Sequence, residues 1–279
     1  MGALWMLVAG LLFGCMGVFV KLGAHYFSNI ELVFYRSFVG LLIMLAILHR
    51  CRGALTTVHW KGHLWRGISG SIALILFFYC ITVLPLATAV TLNYTSPLFL
   101  TMLMVLVVKE RFHTPLVIAI SLGFVGMILL LHPTFERNQI IPGLLGLTSG
   151  FFAGIAMLNV RGLGLKGEPE WRTVLYFSLI ATITSSIAMM FGTIHAITPS
   201  NLLILLGLGS CATLAQLALT RAYSTGKTLV ASSLSYSAVV FATLFGILLW
   251  GETLSRSSWF GMTLVIACGI ASLKLAPKN

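Results

Sequence analysis

Aspartate is absent from this 279-residue chain, and the six acidic residues are all glutamates. Charged residues of both signs make up only 8%. A soluble domain carries about a quarter, so this chain cannot cover its own surface with charge, and the soluble fold classes are excluded. The charge that remains is mostly basic, 17 Lys and Arg for a formal net charge of +11. These cations fall singly or in twos and threes between apolar runs, with no basic face or arm, which excludes nucleic-acid binding. Cysteine is scarce and scattered: Cys15, Cys80, Cys211 and Cys268 lie within apolar runs and Cys51 in a basic loop. No C-x-x-C or Cys/His ligand spacing occurs, so neither a disulfide framework nor a zinc site is indicated. His59 and His63, four apart, could share a helix face; with no third ligand nearby they read as interfacial loop histidines rather than metal ligands.

Hydrophobic residues, by contrast, make up 58%, and the mean hydropathy is +1.02. Ten runs approach the roughly 20 apolar residues that a spanning helix needs: Leu4–Val20, Leu32–Leu48, Gly67–Leu84, Ala87–Val108, Pro115–Leu131, Gly143–Val160, Val174–Ile194, Leu202–Leu219, Leu229–Trp250 and Trp259–Leu273. The start, Met1-Gly2-Ala3, lacks the basic stretch of a cleaved signal, and Met6 stands where myristoylation wants Ser or Thr. The first run is therefore expected to remain as a spanning helix. Pro85 forces a tight turn between the third and fourth spans. Thr114-Pro115 and Thr198-Pro199 read as capped helix starts. The basic, aromatic segment from His49 to Arg66 reads as a membrane-surface loop.

With both termini inside, thirteen Lys and Arg fall on inner loops and the tail. Only Lys21, Arg137 and Arg256 fall outside, and Arg36 lies within a span. That asymmetry sets the expected orientation. The integral membrane protein is placed in a bacterial inner membrane with cytoplasmic termini.

Sliding the sequence by 142 residues brings Leu92-Asn93-Tyr94-Thr95 onto Leu234-Ser235-Tyr236-Ser237, and Glu110 onto Glu252. Ten of 55 positions from Tyr79 to Pro133 are identical at this offset. The expected fold class is therefore an all-α polytopic membrane protein. Its ten helices form two five-helix repeats, 1–137 and 138–279. Five is odd, so the second repeat enters from the opposite side, and such inverted repeats characterise transporters.

Several features resemble the drug/metabolite transporter superfamily, specifically its EamA-type transporters. They are the five-plus-five spans of near-minimal length, Lys109-Glu110-Arg111 echoed by Gly251-Glu252-Thr253, Phe34-Tyr35-Arg36 early in the second span, and Pro85-Leu86-Ala87-Thr88-Ala89 at a short turn. The second half has Tyr176-Phe177-Ser178 where a counterpart of Arg36 would stand. The resemblance implies export or exchange of small metabolites, such as amino acids and related compounds, through a central cavity.

Polar groups at membrane depth are costly and usually face the bundle or a cavity. Arg36 either snorkels outward or pairs with Glu31, or it anchors a substrate carboxylate or phosphate. Asn93 and Tyr94 in the fourth span, and Ser233 and Tyr236 in the ninth, either bond between helices or line a cavity. Asn159 and Gln216 are further substrate-binding candidates. No acidic residue sits mid-span, so a neutral, zwitterionic or anionic substrate fits better than a cationic drug. The expected partners are a small-molecule substrate and membrane lipid, without nucleic acid, in a monomer or homodimer; no cofactor and no catalytic residue are expected. A multidrug or nucleotide-type carrier of the same superfamily is the alternative. A membrane-embedded enzyme lacks the assembled acids or histidines it would need. A channel would want a ring of like residues or a filter sequence, and none is present.

Overall fold

A computed structural model describes residues 2–51, 54–109, 113–134 and 139–275. Among the described residues every regular element is a helix: α1 Gly2–Gly23, α2 Asn29–Cys51, α3 Trp60–Val83, α4 Leu86–Asn93, α5 Ser96–Leu106, α6 Thr114–Leu131, α7 Ile140–Leu165, α8 Glu170–Met189, α9 Pro199–Thr225, α10 Thr228–Ser235, α11 Ser237–Trp250 and α12 Arg256–Leu275. Hydrocarbon offers the backbone no hydrogen-bond partners, so each spanning segment satisfies its own amides. Among the described residues ten segments are long and apolar enough to cross, with α4–α5 and α10–α11 each forming one crossing. Large apolar side chains such as Leu203, Leu248 and Phe260 lie exposed on the outer surface, as a lipid solvent requires. The protein is an integral membrane protein.

The fourth and ninth crossings are not the continuous helices that their hydropathy suggests. α4 ends at Asn93, Tyr94 follows it as the cap, and α5 starts at Ser96. Thr95 turns its hydroxyl back onto the Leu92 carbonyl at 2.6 Å, and Pro97 supplies no amide to continue the ladder. In the ninth crossing Tyr236 caps α10 and opens α11. The two interruptions fall at positions related by the 142-residue offset.

Two other boundaries differ from expectation. α3 begins at Trp60, so the histidine- and arginine-bearing segment read as a surface loop is largely helix. α6 is capped by His113 without a side-chain bond, so Thr114 is not its cap. Thr198 does cap α9: the Thr198 amide donates to Asn201 Oδ1 at 2.7 Å, and the Asn201 amide donates back to the Thr198 hydroxyl at 3.4 Å. Glu110, half of the paired glutamate motif, lies outside the described residues, as do Arg52, Arg111, Glu136, Arg137 and Lys278.

Helices from the two halves interleave. α1 packs on α9, and α3 on α7; α2 also packs on α9, and α3 on α8. α1 meets α10 and α11, while α7 meets α4 and α5. α2 pairs with α8, and α6 with α12. Exchanging α1–α6 for α7–α12 in order maps these contacts onto themselves. A buried cluster of Met6, Leu100, Met104, Val160, Tyr223 and Val230 ties five helices together.

Candidate functional site

α2, α8 and α9 meet around a narrow cleft lined by Arg36 and Ser37, by Val174, Phe177 and Ser178, and by Ala212, Thr213 and Gln216. Its interior of about 10 Å³ has room for about one water. Gly40 allows the close approach that forms it, since a Cβ there would stand 2.8 Å from the Thr213 hydroxyl and 3.4 Å from that of Ser178. At 1.5 Å per residue, Gln216 lies about 14 Å and Arg36 about 22 Å from the α2–α3 end of their helices. The cleft thus straddles the middle of a hydrocarbon core about 30 Å thick.

Of the residues singled out from the sequence, Arg36 and Gln216 are brought together here. Pairing of Arg36 with Glu31 is not observed. Glu31 is fully buried and occupied elsewhere, its carboxylate accepting from the His195 amide at 2.7 Å, His195 Nδ1 at 2.8 Å and the Ser28 amide at 2.7 Å. Gln216 is 6% exposed, and its Nε2 has no hydrogen-bond partner.

The remaining candidates lie outside this cleft. Asn93 Nδ2 donates to the Ser149 hydroxyl at 2.8 Å, which donates in turn to the Ala73 carbonyl at 2.9 Å, joining α4, α7 and α3. The Ser233 hydroxyl reaches the Cys268 carbonyl at 3.5 Å. The rings of Tyr94 and Tyr236 meet at 6.3 Å between centroids. Tyr236 is fully buried among Ile120, Met127, Val239 and Met262, and its hydroxyl has no partner. Asn159 is half-buried on α7 and does not line the cleft.

The sequence reading missed Arg66. Counted there as a loop charge, it sits inside α3 at 2% exposure. Its guanidinium carbon lies 4.4 Å from the centre of the Phe177 ring, which also lines the cleft. Gly70 makes the room, because a Cβ there would stand 2.1 Å from Arg66 Nη1 and 3.0 Å from the Phe177 ring. The Arg66 Nε and Nη1 atoms are buried without hydrogen-bond partners. The available signal was the Ser69-Gly70-Ser71 run of small residues one turn beyond the arginine.

A carboxylate clasp stands at each end of the bundle. At one end Glu31, in the first turn of α2, holds His195 of the α8–α9 connection. At the other, Glu168, just before α8, accepts from the Thr57 hydroxyl of the α2–α3 connection, from Arg172 Nη1 at 2.6 Å and from His63 Nε2 at 3.1 Å. An ionised carboxylate only accepts, so Nε2 of His63 carries the hydrogen. The imidazole stacks on Tyr176 with centroids 4.9 Å apart, fully buried rather than in an interfacial loop. Burial alone would raise the Glu168 carboxyl, but the hydrogen bonds from Thr57, Arg172 and His63 outweigh it and bring it down to about 2. A larger crevice of about 260 Å³ between α5 and α6, lined by residues such as Leu98, Met102 and Leu106, is apolar and opens on the lipid side. It offers nothing for polar recognition.

Comparison with known proteins fits this architecture. The family described as "EamA-like transporter family" matches residues 1–132 and 141–273. The pseudopaline exporter CntI of Pseudomonas aeruginosa is 27% identical over 270 residues, covering 97% of this chain and 95% of that protein. The S-adenosylmethionine uptake transporter of Rickettsia prowazekii is 23% identical over 269 residues, covering 95% and 90%. A solved crystal structure with 19% identity superposes with a TM-score of 0.86 over 99% of this chain and 97% of its own, a likeness of fold.

Proposed function

The chain belongs to the EamA-like transporter family, and from that premise we propose that it is a secondary carrier of small zwitterionic or anionic metabolites, amino acids and related compounds, working by alternating access. Its membership makes it a small-molecule transporter and not an enzyme. The observation that carries the substrate class is Arg36. It lies near mid-membrane in a polar cleft with Gln216, and no carboxylate among the described residues pairs with it. A planar guanidinium so placed suits bidentate recognition of a carboxylate.

We take 1–137 and 138–279 as two inverted five-helix repeats, a reading supported by the exchange of helix contacts and by the matched interruptions at Tyr94 and Tyr236. The thirteen-to-three distribution of cations supports cytoplasmic termini in a bacterial inner membrane. Export or exchange is the proposed direction, and a monomer or homodimer the proposed assembly. Proteoliposomes loaded with unlabelled amino acids should accumulate labelled external amino acid by counterflow, and Arg36→Ala should abolish it. A flux that does not saturate and shows no counterflow would make the protein a pore.

A further inference from the structure

A second cation lies beside the cleft of Arg36, behind its Phe177 wall. The Phe177 ring that lines the cleft beside Arg36 lies directly beneath the Arg66 guanidinium. The two guanidinium groups therefore have the Phe177 ring as a common neighbour. Two positive groups that adjoin one ring repel one another, and Arg66 has left water. Such a pair is costly unless negative charge meets it. Among the described residues the acids cannot supply it: Glu31 is held by His195, Glu252 by Lys21, Glu168 by Thr57, His63 and Arg172, and Glu170 faces Arg221. Arg66 Nε and Nη1 and Gln216 Nε2 are among the buried donors without a partner.

We propose that the substrate carries two separate carboxylates, one held by Arg36 and one by Arg66, with the Gln216 amide donating between them and the apolar linker lying on Phe177. This rests on the carrier reading above and names its substrate class. A single carboxylate would leave one positive charge uncompensated in the membrane interior. The aromatic ring under Arg66, which also walls the Arg36 cleft, keeps the two ligand groups apart. Gly70 serves the same end, since any side chain there would displace the Arg66 guanidinium from the ring.

The test is thermal unfolding of the purified full chain with succinate, glutarate and L-glutamate against L-glutamine, L-leucine and sn-glycerol 3-phosphate. The dicarboxylates should protect at concentrations about tenfold or more below the monocarboxylates, the worth of one additional charged contact. In Arg66→Gln that gap should close while protection by L-glutamine stays. The unliganded variant should melt higher than the parent, because an uncompensated buried charge is gone. Arg66→Lys, which keeps the charge but not the fork, should recover little of the gap. Equal protection by mono- and dicarboxylates, or a gap unchanged in Arg66→Gln, overturns the second anchor and leaves the carrier reading standing. Glycerol phosphate protecting as well as glutarate overturns the two-carboxylate form. Protection by none of the carboxylates overturns this inference and the substrate class of the carrier together.

Discussion

Tyr94 and Tyr236, 142 positions apart in sequence, meet ring to ring at 6.3 Å, each at the point where its crossing helix breaks. The contact joins the two halves of the chain at the interruptions themselves. The hydroxyl of Tyr236 is buried there without a partner. Removing such a group costs nothing in hydrogen bonding and relieves a desolvation penalty of about 1–3 kcal/mol. Tyr236→Phe is therefore expected to fold as well as the parent and to melt at the same temperature or a few degrees higher. Tyr236→Trp should lower stability by about 1–3 kcal/mol through overpacking. Melting curves in detergent decide both, and a clear loss of stability in Tyr236→Phe would mean that the hydroxyl has a partner in the working protein.

Arg36→Ala should weaken carboxylate binding by about ten- to a hundredfold, the loss of one desolvated charge-assisted contact of about 1.5–3 kcal/mol. Arg36→Lys should recover little, since an ammonium cannot reproduce a bidentate fork. Saturation kinetics in proteoliposomes give the result. Unchanged affinity in Arg36→Ala would return the residue to a role at the membrane surface.

The Glu168 clasp gives a pH dependence of stated sign. Its carboxyl is held near 2, below the ordinary 4.5, so its contribution to stability is complete above about 4.5 and is lost as pH falls towards 2. Glu168→Gln should thus melt lower than the parent at pH 7, by about 1.5–3 kcal/mol for weakened bonds to Arg172, His63 and Thr57. The difference should shrink at pH 3. A gap that widened on acidification would show that the carboxyl is not ionised in the folded protein.

Topology can be tested directly. With Cys15, Cys51, Cys80, Cys211 and Cys268 replaced, a cysteine at Gly167 should react only after the inner face is opened to a membrane-impermeant thiol reagent. One at Gly192 should react from outside in intact cells. The opposite pattern would reverse the orientation drawn from the basic residues.

The ten crossings were legible because hydropathy is a sum over many residues, and lipid leaves the backbone no structure but the helix. The breaks were not legible. They depend on a few short-range competitors, such as the Thr95 hydroxyl on the Leu92 carbonyl, inside windows that remain apolar throughout. Arg36 and Gln216 were visible as polar residues in apolar surroundings. Arg66 was not, because it follows Trp60, Lys61 and His63, and a basic aromatic run at a span edge looks like surface. Only the packing of α8 over α3 reveals that Phe177 covers it. Asn93 shows the converse: its amide was visible as polar and is used to join helices.

The two guanidinium groups beside Phe177 also have an electrical consequence. Moving one elementary charge through a membrane potential is worth about 2.3 kcal/mol per 100 mV. When the pair of cations is neutralised by the proposed dianion, the loaded protein presents almost nothing for that field to act on. With nothing seated, both charges meet the field and the low-polarity interior bare. Voltage then bears on the unloaded return rather than on the loaded crossing. On the proposed binding mode, counterflow is therefore expected to outpace net flux when the membrane is polarised.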